Sequence, residues 1–172
     1  MATVNGTPMP VLAPQGESAA TVARSAPPQM LRCMVVSLTA QRRRLIRGAA
    51  EAQAWDAIVC RDAGEFLRTV FKRSVPLIVV DLPDAKSPDY GELKLAVERA
   101  KEITNSLMLI VGAGVDGREE VWARQLGAWA YVCEASSCRG FEFLLYEARA
   151  ALERREAIRG AYEQESFGAT VE

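Results

Sequence analysis

Residues 77–83 read Leu77-Ile78-Val79-Val80-Asp81-Leu82-Pro83, and this run decides the architecture. Four apolar residues in succession follow neither a helical nor an alternating pattern, so they fit a strand buried on both faces. A carboxylate then ends the run and a proline follows closely. That places Asp81 at the mouth of a buried strand, where open α/β sheets set their chemistry. Working outward, further short apolar strands are predicted at 31–36, 56–60, 107–111 and 130–133, with the central one at 76–80.

The segments between them carry helical periodicity. Residues 40–54 gather Leu45, Ile46, Ala49, Ala50 and Ala54 on one side, and 63–73 gather Phe66, Leu67, Val70 and Phe71. Residues 90–104 offer Leu93, Leu95, Ala96 and Ala100, and 117–126 offer Val121, Trp122 and Leu126. A last helix over 137–162 presents Phe141, Leu144, Leu145, Ala148, Leu152 and Ile158. Strands this apolar need helices on both faces, which requires parallel pairing and right-handed crossovers. The expected fold is a doubly wound, five-stranded parallel α/β sheet of the flavodoxin-like order 2-1-3-4-5. Strands 1 and 3 then lie side by side, and the residues at their ends, Ser37 and Asp81, line the candidate site.

Composition bounds the function. The chain has 172 residues, of which 49% are hydrophobic, enough for one core. Its 21 basic and 22 acidic residues leave a net charge of −1, so no electrostatic footprint for nucleic acid emerges. Residues 1–28 hold five prolines among Ala, Ser, Thr and Gly and cannot form an apolar face, so a flexible arm is expected. A single compact domain over 29–160, with an extended last helix, and a tail over 161–172 complete the organisation. No run approaches the roughly 20 apolar residues of a membrane span, and a cytoplasmic location is the expectation. With no histidine and no short Cys-x-x-Cys pair, a zinc site is not expected. Cys33, Cys60 and Cys133 read as core thiols and Cys138 as a semi-exposed one.

Gly112-Ala113-Gly114-Val115-Asp116-Gly117 matches the dinucleotide-binding pattern, and Glu134 follows 22 residues after Gly112. Asp116, Glu119 and Glu120 crowd that helix start, however, where a diphosphate would meet like charge offset only by Arg118. The unit is also the fourth of the domain, with one short strand after it. A Gly-rich turn with acidic residues facing the helix dipole is the better reading, and nucleotide binding at 112–117 is a lower alternative.

Over roughly residues 31–155 the sequence resembles the receiver domain of two-component response regulators. The run 77–83 resembles the third strand with its phospho-accepting aspartate. Gly127-Ala128-Trp129-Ala130-Tyr131-Val132-Cys133 resembles the stretch entering the fifth. The resemblance implies Asp81 as phospho-acceptor, with acids after strand 1 for Mg²⁺, a hydroxyl after strand 4 and Lys-Pro after strand 5. Here those positions hold Ser37-Leu38, Gly112 and Glu134-Ala135. Phosphoryl transfer depends on positioning and neutralisation by cations, and Mg²⁺ needs hard oxygen ligands. The degenerate pocket of Ser37, Leu38, Asp81, Gly112 and Glu134 therefore implies a pseudo-receiver without catalytic activity or cofactor. Asp81 then serves as a strand cap bonded to loop amides. Phosphorylation of Asp81 with Mg²⁺ is the alternative.

Function then falls to surfaces. Receivers pair through helix 4, strand 5 and helix 5, which here carry Trp122, Trp129 and Tyr131, the last at a position that changes rotamer in signalling receivers. A protein partner or a second copy is expected there, with Trp129 packing under the last helix as the competing reading. The end of that helix, around Leu152 and Ile158, is compatible with a short helical pairing or a solvated end. Arg42, Arg43, Arg44 and Arg47 form a positive patch that reads as a solvated helix face.

Overall fold

The computed structural model describes residues 30–112, 114, 117–133 and 137–168, with side chains through residue 160. Five strands alternate with five helices: β1 (Leu31–Ser37), α1 (Ala40–Ala52), β2 (Trp55–Cys60), α2 (Ala63–Lys72), β3 (Leu77–Asp81), α3 (Asp89–Ile103), β4 (Leu107–Gly112), α4 (Gly117–Gln125), β5 (Ala130–Cys133) and α5 (Cys138–Gly168). The sheet order is β2-β1-β3-β4-β5 and every pairing is parallel. This is the doubly wound topology expected from the apolar runs.

The pleat explains why β3 is apolar throughout. Ile78 and Val80 face one layer with Phe66 and Val70 of α2, Leu93 and Val97 of α3, and Ala123 of α4. Leu77 and Val79 face the other, with Ile46, Ala49 and Ala50 of α1 and Phe141, Leu145 and Ala148 of α5. Alternate side chains thus enter two different cores, and neither face can be polar.

Some helical positions depart from expectation. Phe66 and Val70 lie one turn apart and are buried, but Phe71 sits about 100° further round the helix and is 70% exposed. Leu95 and Ile158 are likewise exposed. The last helix runs to Gly168 rather than 162, and Ala151 is the last buried residue among those up to 160. Cys33 and Cys60 are buried, Cys133 is half-buried and Cys138 exposed. Burial, reinforced by the Asp56 carboxylate, pushes the Cys33 thiol up to about 12. No helix of the described residues is long and apolar enough to cross a membrane.

Helix α1 stops in an unusual way. Ala54, expected inside the helix, lies just beyond it with φ 55°, and its N–H donates to Glu51 O at 3.1 Å. Arg149 of α5 closes the exposed end, its Nη2 donating to Gln53 O at 3.0 Å and Ala54 O at 2.9 Å. The same guanidinium lies 5.3 Å from the centroid of Trp55, whose indole N–H donates to Leu145 O at 3.3 Å. A left-handed residue with a Cβ costs about 1 kcal/mol. Ala54→Gly should therefore raise stability by about 0.5–1 kcal/mol, read as a higher urea midpoint with an unchanged slope.

Candidate functional site

The site forms where β1 and β3 end side by side. Ser37 is level with Asp81 in the parallel register, and both are buried. The Ser37 hydroxyl donates to Asp81 Oδ2 at 2.7 Å. Thr39 caps the following helix by accepting from Arg42 N at 3.4 Å, which starts α1 directly above the strand ends. Arg42 therefore stands in the first turn, and its guanidinium reaches the carboxylate. Nη2 donates to Oδ1 at 2.6 Å, while Nε is shared between Oδ1 at 3.1 Å and Oδ2 at 3.2 Å.

This pair is the main correction to the sequence reading. Arg42 is not part of a solvated face, and Asp81 is bonded to side chains rather than held as a strand cap by loop amides. Arg43 is also engaged, donating from Nη1 to Ser37 O and Leu38 O at 2.8 Å each. Two cations at a helix N-terminus oppose its dipole. The carboxylate and the two carbonyls offset that cost. The signal was present in the sequence: a helix starting three residues after Ser37, with strand 3 beside strand 1, brings position 42 over Asp81.

A second cluster fills the neighbouring space over β4. Glu119, expected as a surface acid facing the helix dipole, is 4% exposed. It accepts from the Tyr131 hydroxyl on Oε1 and from the Tyr90 hydroxyl on Oε2, each at 2.8 Å. Burial and the bond to Glu119 push the Tyr131 phenol well above its ordinary range. Gly112 is what admits this arrangement. A Cβ there would stand 2.1 Å from Glu119 Oε1 and 2.3 Å from Tyr131 Oη. The glycine of the G-x-G-x-x-G match is thus accounted for by a tyrosine and a glutamate packed over it. Leu38 is half-buried at the rim, whereas Glu134 lies outside the described residues.

The two tryptophans are both engaged. Trp122 Nε1 donates to Glu98 at 2.7 Å, and Lys94 Nζ lies 4.2 Å from its ring centroid. Trp129 is half-buried against the α1/α5 core, and its backbone N–H donates to Met108 O at 2.8 Å. A cleft of about 920 Å³ between Val75, Pro76, Asn105, Leu152 and Ile158 lies at the opposite end of β3 from Asp81.

The architecture is that of a receiver domain. A CheY-like receiver domain protein from Methanospirillum hungatei JF-1 superposes with a TM-score of 0.64 at 20% identity, covering 75% of this chain and 98% of its own. The BeF3-activated DrrB receiver domain gives 0.60 at 18%, covering 73% and 99%. NtrX from Brucella abortus gives 0.66 at 16%, with 84% of this chain matched to 31% of that protein. The sequence matches no protein-family model and no curated protein. At these identities the likeness establishes the fold.

The Gly112 contacts yield a test. Gly112→Ala should destabilise the protein by about 1–3 kcal/mol in urea unfolding. In the background Tyr131→Ala, which removes the ring over the glycine, the cost should shrink clearly, a coupling that a double-mutant cycle measures.

Proposed function

We propose that this chain is a receiver-like interaction domain that works without phosphorylation of Asp81. One observation carries the reading: the Asp81 carboxylate is held on both oxygens by Arg42, with Ser37 as its other partner. A guanidinium already supplies the positive charge that a metal would bring, and it covers the oxygens a phosphodonor must reach. The residues facing Asp81 do not fit Mg²⁺ either, since Ser37 and Arg42 offer a hydroxyl and a cation where the ion requires several hard oxygen ligands. The domain itself then has no catalytic step to perform.

Its working surface, in this reading, is the face of α4, β5 and α5. β5 is an edge strand with half-buried residues along its length. Val121 of α4 and Phe143 and Tyr146 of α5 are exposed. An edge strand, together with exposed aromatic side chains on the helix that follows it in the chain, is suited to a protein partner or a second copy. Trp122 and Tyr131 pack on the α2/α3/α4 side of the sheet, held by Glu98 and Glu119, and Trp129 packs on the α1/α5 side.

Intact-mass measurement with acetyl phosphate and Mg²⁺ tests the first half. The expected spectrum is unchanged; a gain of one phosphoryl group that Asp81→Asn abolishes would establish a working phosphorylation switch instead. For the surface, Phe143→Ser with Tyr146→Glu should abolish association in sedimentation velocity while leaving the circular dichroism spectrum intact. Retained association in that variant would move the contact elsewhere.

A further inference from the structure

Four arginines converge on one small pocket whose lining holds no carboxylate. Arg43, Arg44 and Arg47 of α1 and Arg61 beyond β2, together with Ala40 and Val59, line an open-mouthed cavity of about 200 Å³. It lies on the β2 side of the molecule, separate from the Asp81 carboxylate. Arg43 is preorganised by the carbonyls of Ser37 and Leu38. Among the described residues, Arg44, Arg47 and Arg61 take part in none of the ion pairs.

The group concentrates like charge, with Arg44, Arg47 and Arg61 exposed and Arg43 half-buried. Arg43 and Arg44 stand four and three residues before Arg47, spacings at which like charges on a helix repel. The N-terminus of α1 adds positive partial charge, and its first turn contains no acid. Glu51 stands one turn after Arg47, and Asp62 and Glu65, which follow Arg61, are engaged in starting α2. Asp62 Oδ1 accepts from Glu65 N at 2.7 Å, and Glu65 Oε2 accepts from Arg61 N at 2.8 Å. The chain as a whole carries a net charge of −1, so the concentration of positive charge is local rather than a general bias.

We infer that this pocket binds the phosphoryl end of a small soluble molecule. Guanidinium forks match phosphate oxygens two at a time, and several forks around one cavity suit a tetrahedral polyanion better than a single carboxylate. The volume accommodates a phosphate or diphosphate group, leaving any organic remainder in solvent. A polynucleotide would instead need a track of positive charge across the surface, and the four side chains are gathered at one point.

The test is calorimetric titration of the full chain with pyrophosphate at low ionic strength. Saturable one-to-one binding that weakens with added salt is expected. Arg44→Ala with Arg47→Ala should lower the affinity about tenfold or more, whereas Arg124→Ala, on distant α4, should leave it unchanged. The double variant should also unfold at a higher temperature without ligand, because repulsion is relieved. Three results would overturn the inference: no saturable binding, equal affinity in the double variant, or binding confined to oligonucleotides with several chains per strand.

Discussion

The ion pair between Arg42 and Asp81 ties together the elements that define this molecule. Asp81 ends the central strand, Arg42 opens the first helix, and Ser37 ends the strand between them. The back of the Arg42 guanidinium lies 5.2 Å from the centroid of Phe141 on α5. One side chain therefore couples β3, β1, α1 and α5. A buried carboxylate needs a partner, and with a hydroxyl rather than acids beside it, the fold recruits that partner from its own helix. Breaking such a pair would strand a charge in a poorly hydrated site, which costs more than the pair contributes. The geometry is thus held by the penalty for undoing it.

The cluster over β4 follows the same logic with neutral donors. Glu119 is buried, and two phenols supply its hydrogen bonds, one from α3 and one from β5. The Tyr131 ring can stand there only because Gly112 has no side chain. Lys94 stacks on Trp122 and approaches Tyr90, extending the polar layer outward along α3 and α4. Both pockets at the strand ends are consequently filled by side chains of the chain itself. Among the described residues, open features lie away from these pockets: the edge strand β5, the arginine pocket beside β2, and the cleft between Val75, Asn105 and Leu152.

Legibility in the sequence differed between these features for a physical reason. Every strand was readable within about a residue, because burial on both faces forces continuous apolar runs. Helix faces were readable where small or aliphatic residues recur each turn, as at Ile46, Ala49 and Ala50. Phe71 and Leu95 were misplaced because hydrophobicity alone does not fix the angle at which a helix meets the sheet. Ala54 was assigned to the helix because alanine favours helices, while its left-handed conformation is imposed by the entry into β2 and the Arg149 contact.

The sequence by itself determined the alternation of elements, the parallel sheet, the place of Asp81 at a strand end, and the lack of the expected residues at Ser37 and Gly112. These follow from local pattern, since periodicity and turn chemistry act over a few residues. Only the tertiary structure decided that Arg42 neutralises Asp81, that Glu119 is buried beneath two tyrosines, and that four arginines share one pocket. Each depends on side chains from elements far apart in the chain, and long charged residues read alike in sequence whether they end in water or on a partner. Asp81 was visible from the first apolar run; its occupied state required the fold.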